Sequence, residues 1–419
     1  MGLAKWLGVA SLLAASCGGK RVMQACAPGA QATCTCVGGQ MGFRVCNRDG
    51  SGFGACIDCV GADMAMSDLA IPPPPCTNVA FAARVAYATD IGPQSLATAD
   101  LNGDGMPDLA VANYSGNSVS VLLGNGSGTF ASQVPYDAGT NPWSVAAADL
   151  NGDGMPDLAI ANLMDNTVSV LLNNGNGTFA ARVTYQTGMV PTSVAAADLN
   201  SDGKADLAVV NAGGNVSVLR GIGNGTFAGR VNYQVGMLPG SVVVADLNGD
   251  GGPDLAVGNL NSNDVSVLLN NGNAFQAHVL YTTGTSPSSV AAADLNGDGK
   301  PDLAVANNRS NNLSVLLNNG NGMFQAHVTY QAGMNPLSVA AADLNADGKP
   351  DLAIAYEGGN SVGVLLGSGS GTFAAQVTYQ TGTGSKFVAA ADLNGDGKAD
   401  LAVANFGSDT VSILLNTCM

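Results

Sequence analysis

From Phe81 onward the chain alternates short apolar runs with polar turns, and the whole pattern repeats. The tract Asp-Leu-Asn-x-Asp-Gly begins at seven positions that are 48 or 49 residues apart: Asp100, Asp149, Asp198, Asp246, Asp294, Asp343 and Asp392. A fixed period of this length is typical of solenoids and propellers. The repeat therefore sets the architecture within which every other motif is interpreted.

Each unit contains four stretches with a β-strand pattern, separated by turns rich in Gly, Asn and Pro. In the third unit these stretches are SVAAAD, DLAVVN, NVSVLR and TFAGRVNY. No stretch places apolar residues at helical spacing over the roughly ten positions that a helix needs. Four strands in each of seven units predict an all-β fold, a seven-bladed β-propeller of four-stranded blades.

The two ends of the array favour a closed ring over an open solenoid. The array starts at Phe81 with a sequence like the fourth strand of other units, and it stops near Leu415 with a third strand. Pairing the amino-terminal strand with the last blade completes that blade and removes both exposed sheet edges. An open solenoid would need polar caps, and the sequence shows none.

Two cysteines flank this seam. Aligned with the second unit, Cys76 corresponds to Asn174 and Cys418 to Gly175, which are neighbours in one turn. Their Cα atoms are therefore expected to lie within disulfide reach. We predict a disulfide between Cys76 and Cys418 that clasps the ring.

The sequence that precedes the repeats predicts export from the cytoplasm. Residues 1–17 contain an apolar run behind Lys5 that is too short to span a bilayer and is typical of a signal peptide. The run ends in Ala14-Ala15-Ser16-Cys17, which resembles the lipobox of bacterial lipoproteins and implies lipidation of Cys17. We expect transport across the inner membrane and a lipid-anchored place in the cell envelope, with ordinary secretion as the alternative.

A cysteine-rich segment follows. Residues 18–60 hold six cysteines among Gly-rich turns: Cys26, Cys34, Cys36, Cys46, Cys56 and Cys59. Such a segment buries too little apolar area to fold unaided, which predicts a small disulfide module whose connectivity the sequence leaves open. A zinc module is the alternative, although only Cys56 and Cys59 have ligand spacing. We predict a Pro-rich linker over residues 61–76 and the propeller over residues 77–418.

Every unit carries the pattern Asp-x-Asn-x-Asp-Gly-x-x-Asp in the turn between its first two strands. Hard oxygen ligands at alternate positions, a Gly at the bend and a terminal carboxylate are typical of a calcium loop. We predict side-chain ligands at positions 1, 3, 5 and 9, a backbone carbonyl at position 7, and up to seven structural Ca²⁺ ions. The predicted ligands are Asp100, Asn102, Asp104, Met106, Asp108, Asp149, Asn151, Asp153, Met155, Asp157, Asp198, Asn200, Asp202, Lys204, Asp206, Asp246, Asn248, Asp250, Gly252, Asp254, Asp294, Asn296, Asp298, Lys300, Asp302, Asp343, Asn345, Asp347, Lys349, Asp351, Asp392, Asn394, Asp396, Lys398 and Asp400.

The charge of the chain supports these cation sites. Its 419 residues carry a formal net charge of −16, and the seven loops hold 21 of the 31 acidic residues. Two carboxylates ~5 Å apart repel by about 3 kcal/mol at an effective dielectric constant of ~20. Divalent ions would relieve that repulsion in every loop. The acidic surplus also excludes a nucleic-acid-binding protein, which would present a basic face.

The core SVAAADLNGDGKPDLAVAN at residues 289–307 resembles the FG-GAP/VCBS repeat family, whose calcium-loop propeller blades also occur in the integrin α head. The resemblance spans about residues 80–416 and implies the propeller fold and the metal roles of the matching Asp and Asn residues. The namesake Phe-Gly and Gly-Ala-Pro flanks are missing. The chain is therefore similar to the bacterial VCBS-like branch, and integrin-type partner binding is not implied.

No catalytic motif stands out. His278 and His327 share an outer-strand position that other units fill with Arg or Gln, which predicts a solvated edge rather than a catalytic pair. Nucleophile elbows and Walker loops are missing from the sequence. The repeats diverge instead in the loops opposite the calcium loops, where Tyr114, Trp143 and Glu357 are candidate ligand-binding residues. An aromatic side chain there would stack on a sugar or anchor a protein; drift without function is the alternative.

Together these features predict a monomeric, calcium-stabilised binding or adhesion propeller at the cell surface, without catalytic activity. Its expected ligand is an unidentified protein or polysaccharide, and it would contact a membrane only through the lipid. The alternatives are an extracellular polysaccharide-processing enzyme of lyase type and a purely structural surface module.

Overall fold

The computed structural model describes residues 79–272 and 274–418, together with the backbone of two short strands. These strands, β1 (Gln31–Thr35) and β2 (Met41–Val45), pair antiparallel within the first of two compact units, Met1–Pro73. The second unit is Pro74–Met419. Cys17, Cys76 and the side chains of the six cysteines between residues 26 and 59 lie outside the described residues.

The second unit is the predicted seven-bladed propeller. Seven antiparallel sheets of four strands follow one another; six have their strands in chain order, and the seventh takes its fourth strand from the amino-terminal end of the array. Nothing in the described part of the chain is a helix long and apolar enough to cross a membrane. The fold class predicted from the repeat is therefore confirmed.

The strands, in chain order, are β3 (Val85–Ala88); blade 1, β4 (Pro93–Ala99), β5 (Asp108–Asn113), β6 (Ser118–Leu122) and β7 (Val134–Asp137); blade 2, β8 (Pro142–Ala148), β9 (Asp157–Asn162), β10 (Thr167–Leu171) and β11 (Val183–Gln186); blade 3, β12 (Pro191–Ala197), β13 (Asp206–Asn211), β14 (Asn215–Leu219) and β15 (Val231–Gln234); blade 4, β16 (Pro239–Ala245), β17 (Asp254–Asn259), β18 (Asp264–Leu268) and β19 (Val279–Thr282); blade 5, β20 (Pro287–Ala293), β21 (Asp302–Asn307), β22 (Asn312–Leu316) and β23 (Val328–Gln331); blade 6, β24 (Pro336–Ala342), β25 (Asp351–Tyr356), β26 (Ser361–Leu365) and β27 (Val377–Gln380); and blade 7, β28 (Ser385–Ala391), β29 (Asp400–Asn405) and β30 (Thr410–Leu414).

Burial changes from the axis to the rim of the ring. The first strands of neighbouring blades contact one another, and their runs of Ala allow seven strands to converge around the axis. The second strands are wholly buried, as in β9, whereas the fourth strands are largely exposed. The predicted outer strand TFAGRVNY is too long: the ladder of β15 with β14 ends at the pair Val231 and Val218, and Phe227 forms a separate bridge with Gly221.

The ring closes as predicted. Strand β3 pairs with β30, with Val85 opposite Ile413, and supplies the fourth strand of blade 7. Beyond this ladder Phe81 forms a bridge with Asn416. Cys418 is buried and disulfide-bonded, and Cys76 lies outside the described residues, so the pairing of these two cysteines stays a prediction.

The hydrophobic core lies between the blades. Seven apolar clusters each combine second- and third-strand residues of one blade with those of its neighbour. An outer-strand Tyr packs edge-on against a Phe of the next blade all around the ring; the ring centroids of Tyr136 and Phe179 are 5.4 Å apart. At the seam Tyr379 and Phe81 repeat this contact at 4.9 Å. The closing strand therefore restores the packing found between the other blades.

Buried asparagines connect neighbouring blades to the turns that hold the predicted metal ligands. Asn173, two residues after the third strand of blade 2, donates from Nδ2 to the carbonyl oxygen of Leu101 in blade 1 at 2.8 Å and to that of Pro156 at 2.9 Å. Asn270, Asn318 and Asn416 make the same two kinds of bond. Each of these side chains thus fixes the turn of one blade against the next blade.

We predict that Asn173→Ala lowers the free energy of unfolding by about 1–3 kcal/mol, because buried carbonyl groups lose a donor. The adjacent Asn174 is exposed and bonds only within its own turn, so Asn174→Ala is the matched control and should change stability by less than about 0.5 kcal/mol. Urea unfolding of both variants measures the difference. Equal stability of the two variants would rule out this inter-blade role.

Candidate functional site

The turn between the first and second strands of each blade is shaped by its own acidic residues. In blade 1, Asp100 Oδ1 accepts the backbone N–H of Gly103 at 2.7 Å and Oδ2 accepts that of Gly105 at 2.8 Å. Asn102 Oδ1 accepts the N–H of Asp104 at 2.9 Å. Gly103 and Gly105 have φ values of 77° and 83°, a region open to Gly at little steric cost. The oxygens at positions 1 and 3 thus lie on the inside of a tight turn.

The ninth residue of the pattern is the first residue of the second strand, and its carboxylate is fully buried. Asp108 Oδ2 accepts the N–H of Leu101 at 2.8 Å, and Oδ1 accepts that of Gly124 at 2.7 Å. The same pair of bonds recurs in all seven blades. The seven buried carboxylates belong to Asp108, Asp157, Asp206, Asp254, Asp302, Asp351 and Asp400.

Burial raises the pKa of most of these carboxyls. The pKa is raised to about 6 at Asp157, Asp254, Asp302, Asp351 and Asp400. The two backbone N–H donors oppose the rise, and repulsion from the carboxylates at positions 1 and 5 adds to it. A buried negative charge in this setting favours either a proton or a cation beside it.

The residues fit a hard divalent cation. Each loop offers three carboxylates and one amide oxygen, the donor types that Ca²⁺ prefers. Within the described chain, six of the seven buried carboxylates have no ion-pair contact with a Lys, Arg or His side chain; Asp206 is the exception. An unpaired buried charge is costly. A cation in the loop would compensate that cost.

The side chains of the described residues do not already converge as a group of three or more His, Cys, Asp or Glu around one metal-sized point. One of the four predicted side-chain ligands in each loop is Asn, and the carboxylates at positions 1 and 5 face backbone N–H groups of their own turn. Each oxygen that accepts one N–H keeps a second lone pair. Cation binding would therefore require small rotations of exposed side chains rather than a new fold.

Position 7 supplies a lysine in four of the loops, and its amine lies near the carboxylate at position 5. The separations of Nζ and Oδ2 run from 3.3 Å for Lys300 and Asp298 to 4.0 Å for Lys204 and Asp202. Both partners are substantially exposed in these two pairs, and surface pairs of this kind contribute about 0–1 kcal/mol. They compete only weakly with a divalent ion.

The opposite end of the ring carries a cluster of aromatic and charged side chains. Tyr114 packs edge-on against Trp143 with ring centroids 5.6 Å apart, and it lies 6.2 Å from Phe406. Lys386 Nζ is 5.4 Å from the centroid of Phe406 and forms an ion pair with Glu357. We call these five residues the mouth cluster. The structure thus brings all three predicted ligand-binding residues into one connected group on blades 6, 7, 1 and 2.

The mouth cluster borders a cavity of about 400 Å³ at the end of the axial channel, to which every blade contributes. Six serines around the cavity accept a backbone N–H from the first strand of the next blade, as Ser144 does from Val194 at 3.2 Å. The seventh blade has Phe387 at this position. The serine hydroxyls therefore link neighbouring blades. The lining residues that differ most in type from blade to blade are Trp143, Leu337 and Lys386.

The two half-buried histidines lie directly before the outer strands β19 and β23, and neither lines the cavity. Nδ1 of His278 is 2.7 Å from the carbonyl oxygen of Gln234, and Nδ1 of His327 is 2.9 Å from that of Thr282. In blade 2 the same position holds Arg182, which pairs with Asp137 of blade 1 at 2.8 Å. The sequence interpretation of an edge position agrees with this placement, and the structure adds that the position bridges neighbouring blades.

Sequence reasoning missed two features of these sites. Phe387 was not recognised as a lining residue, although it stands where six other units have Ser. Arg220, which contacts Asp206, stands where the other six units have Leu. In both cases a position-by-position alignment of the seven units would have revealed the residue, because its type differs from that of the other six units.

Comparison with known proteins supports the architecture. The model of the FG-GAP-like repeat matches residues 100–160, 150–209, 198–257, 246–305, 294–354 and 343–403. No curated protein matches the sequence. Several solved structures share the fold at low identity, and so they inform the fold alone.

One is a complex of BBS1N with ARL6DN, 14% identical with a TM-score of 0.59 over 80% of this chain and 96% of that chain. Another is a lectin of Agrocybe aegerita that recognises non-reducing terminal N-acetylglucosamine, 21% identical with a TM-score of 0.54 over 78% and 96% of the two chains. A third is a catalytically inactive virginiamycin B lyase from Staphylococcus aureus with quinupristin, 12% identical with a TM-score of 0.55 over 80% and 99%.

The raised pKa values predict an unusual pH dependence in buffer that contains a chelator. An unfolded Asp titrates near pH 3.9, whereas five buried ones titrate near 6 in the folded chain. Between these values the folded state binds more protons, so stability rises as the pH falls from 7.5 to 5. We expect the melting temperature of the chelated protein to rise over that interval.

Carboxyls with a lowered pKa do not reverse this trend. Burial alone would raise the pKa of Asp149 and Asp198, but backbone N–H bonds from their own turns outweigh it and lower the pKa. The stabilisation from such groups is lost only as the pH falls below their ordinary value of 3.8. Differential scanning calorimetry at several pH values measures the trend, and a melting temperature that falls steadily from pH 7.5 to 5 would contradict it.

Proposed function

Because this chain belongs to the FG-GAP-like repeat family, we propose that it is a calcium-stabilised propeller that binds a protein or polysaccharide at the mouth cluster and catalyses no reaction. The observation that carries the proposal is the position of that cluster. Its members occur where the repeats differ from one another, and they meet beside a cavity. A purely structural role would not account for a group of aromatic and charged side chains beside a cavity.

Calcium is proposed for the opposite end of the ring. The residues that would hold it are the side chains at positions 1, 3, 5 and 9 of a loop and the carbonyl at position 7. When bound, the ion would supply the positive charge that the buried carboxylate lacks. The chain's own contribution is to place that carboxylate: backbone N–H groups of Leu101 and Gly124 fix Asp108, so the charge cannot turn towards solvent.

The chemistry of the mouth cluster suits an extended ligand. Trp143, Tyr114 and Phe406 are half-buried, so each keeps part of its ring accessible. Aromatic rings of this kind stack on sugar rings or fill pockets in a protein partner. Lys386 and Glu357 add one charge of each sign next to the rings. The similar folds of a lectin and of a protein complex support the use of this architecture for recognition.

The absence of catalysis is part of the proposal. His278 and His327 contact backbone carbonyls beside the outer strands and do not line the cavity, and the seven closely similar loops suit structural ions better than one acid and one base. Export and lipid anchoring at Cys17 are proposed from the sequence of residues 1–17 alone. Together they would place the binding surface in the cell envelope; ordinary secretion, the alternative, would place it outside the cell.

We predict that Trp143→Ala weakens binding of a ligand found on a glycan array, or of a protein partner, by at least about tenfold, which corresponds to about 1.4 kcal/mol. Isothermal titration calorimetry measures the change. Met323 is exposed in a turn at the other end of the ring, so Met323→Ala is the control and should bind normally.

The other outcomes are equally informative. If Trp143→Ala binds normally and Met323→Ala loses binding, the ligand binds at the end of the ring that carries the acidic loops and not at the mouth cluster. Release of unsaturated sugars from a polymer would show a lyase instead of a binding protein. Lipidation is separately testable: a tagged fatty acid should label the wild type and not Cys17→Ala.

A further inference from the structure

In one of the seven loops the buried carboxylate at position 9 forms an ion pair with a cation of the chain itself. The residue that follows the third strand is Leu in six blades and Arg220 in blade 3. The six leucines are Leu123, Leu172, Leu269, Leu317, Leu366 and Leu415. This position lies directly before the backbone N–H that binds the buried carboxylate, so its side chain has the reach to influence that carboxylate.

The side chain of Arg220 contacts the buried carboxylate of its own blade. Its Nη1 lies 2.7 Å from Oδ2 of Asp206, the buried carboxylate of blade 3. The side chain of Asp206 is 0% exposed and that of Arg220 is 22% exposed. A charged donor on a buried carboxylate is among the stronger hydrogen bonds in proteins, and Arg keeps its charge at every accessible pH.

The contact occupies the lone pair that the other loops leave available. Asp206 Oδ1 accepts the N–H of Gly221 at 2.7 Å, and Oδ2 accepts both the N–H of Leu199 at 3.1 Å and the guanidinium. In blade 2 the equivalent Asp157 accepts only the two backbone N–H groups, at 3.0 Å and 2.7 Å. Position 9 of the third loop therefore has less capacity for a metal ion than the same position elsewhere.

The charge of the guanidinium acts in the same direction. It lies on an oxygen predicted to be a metal ligand, so a divalent cation in this loop would be held a few ångströms from a fixed positive charge and repelled by it. For the ion to bind, Arg220 would have to leave a buried carboxylate. Removing a guanidinium from such a partner is unfavourable.

We propose that the third loop, Asp198 to Asp206, does not bind calcium at concentrations that fill the other six loops, because Arg220 takes the place of the ion. The chain would then bind six calcium ions rather than the seven that the repeat count predicts. This inference rests on the proposed calcium binding and refines it. Blade 3 would retain its internal cation when calcium is removed.

Native mass spectrometry of the full chain, with calcium as the only added metal, counts the bound ions. We expect six ions on the wild type and seven on Arg220→Leu, which restores the residue found in the other blades. A second pair of variants does not alter the buried contact. Asp153 and Asp202 are exposed and occupy position 5 of loops two and three, so Asp153→Asn should lose one ion while Asp202→Asn should keep six.

The outcomes separate the two proposals. Seven ions on the wild type, or the loss of an ion in Asp202→Asn, would overturn the role of Arg220 and leave calcium binding intact. No specific calcium on any variant would overturn the proposed calcium function itself. If Arg220→Leu does not fold, the comparison of Asp153→Asn with Asp202→Asn still decides the question.

Discussion

The structure depends on a carboxylate that is buried at the start of the second strand of every blade. In blade 1 this residue, Asp108, accepts one N–H from the preceding turn and one from the end of the third strand. Its two carboxylate oxygens thereby connect the turn after the first strand, the start of the second strand and the end of the third strand. The arrangement places negative charge inside the ring seven times over, and the cost of unpaired buried charge is what makes a cation in each loop physically reasonable.

The two ends of the ring consequently differ in how many of their positions can change residue type without loss of a structural contact. At the loop end nearly every position is used to shape the turn, to hold the carboxylate or to fix the next blade, as Asn173 does. At the other end the serines join blades through a single hydroxyl, and the neighbouring positions are free to change. The mouth cluster occupies those positions. On the proposed function, recognition would therefore be carried by the end of the sheets opposite the acidic loops.

Much of the fold was predictable because its signals are local and repeated. The interval of 48 or 49 residues, the four strand patterns and the unpaired strand at each end of the array are sufficient to predict seven blades and the closing role of β3. The length of the outer strand was not predictable, since the ladder with β14 is interrupted after the pair Val218 and Val231 and pairing resumes only at Gly221 and Phe227. Local propensity in TFAGRVNY gives no information about where its pairing with the neighbouring strand is interrupted.

The candidate sites were only partly predictable, for a related reason. The loop ligands follow from spacing within nine residues, and Trp143 and Tyr114 follow from divergence between units. Contacts made through space do not: the ion pair of Lys386 with Glu357 and that of Arg220 with Asp206 join residues of different strands or blades. In the proposals made above, these contacts are the ones that would determine where a ligand binds and which loop needs no ion.

The most direct test of this account is the melting temperature of the full chain at pH 7.5, measured by circular dichroism with excess calcium and again after exhaustive chelation. The account predicts a large fall on chelation that calcium reverses and magnesium does not, because Mg²⁺ demands a stricter octahedral geometry and gives up its water reluctantly. An unchanged melting temperature after chelation would show that the buried carboxylates are compensated without a metal ion and would contradict the central claim.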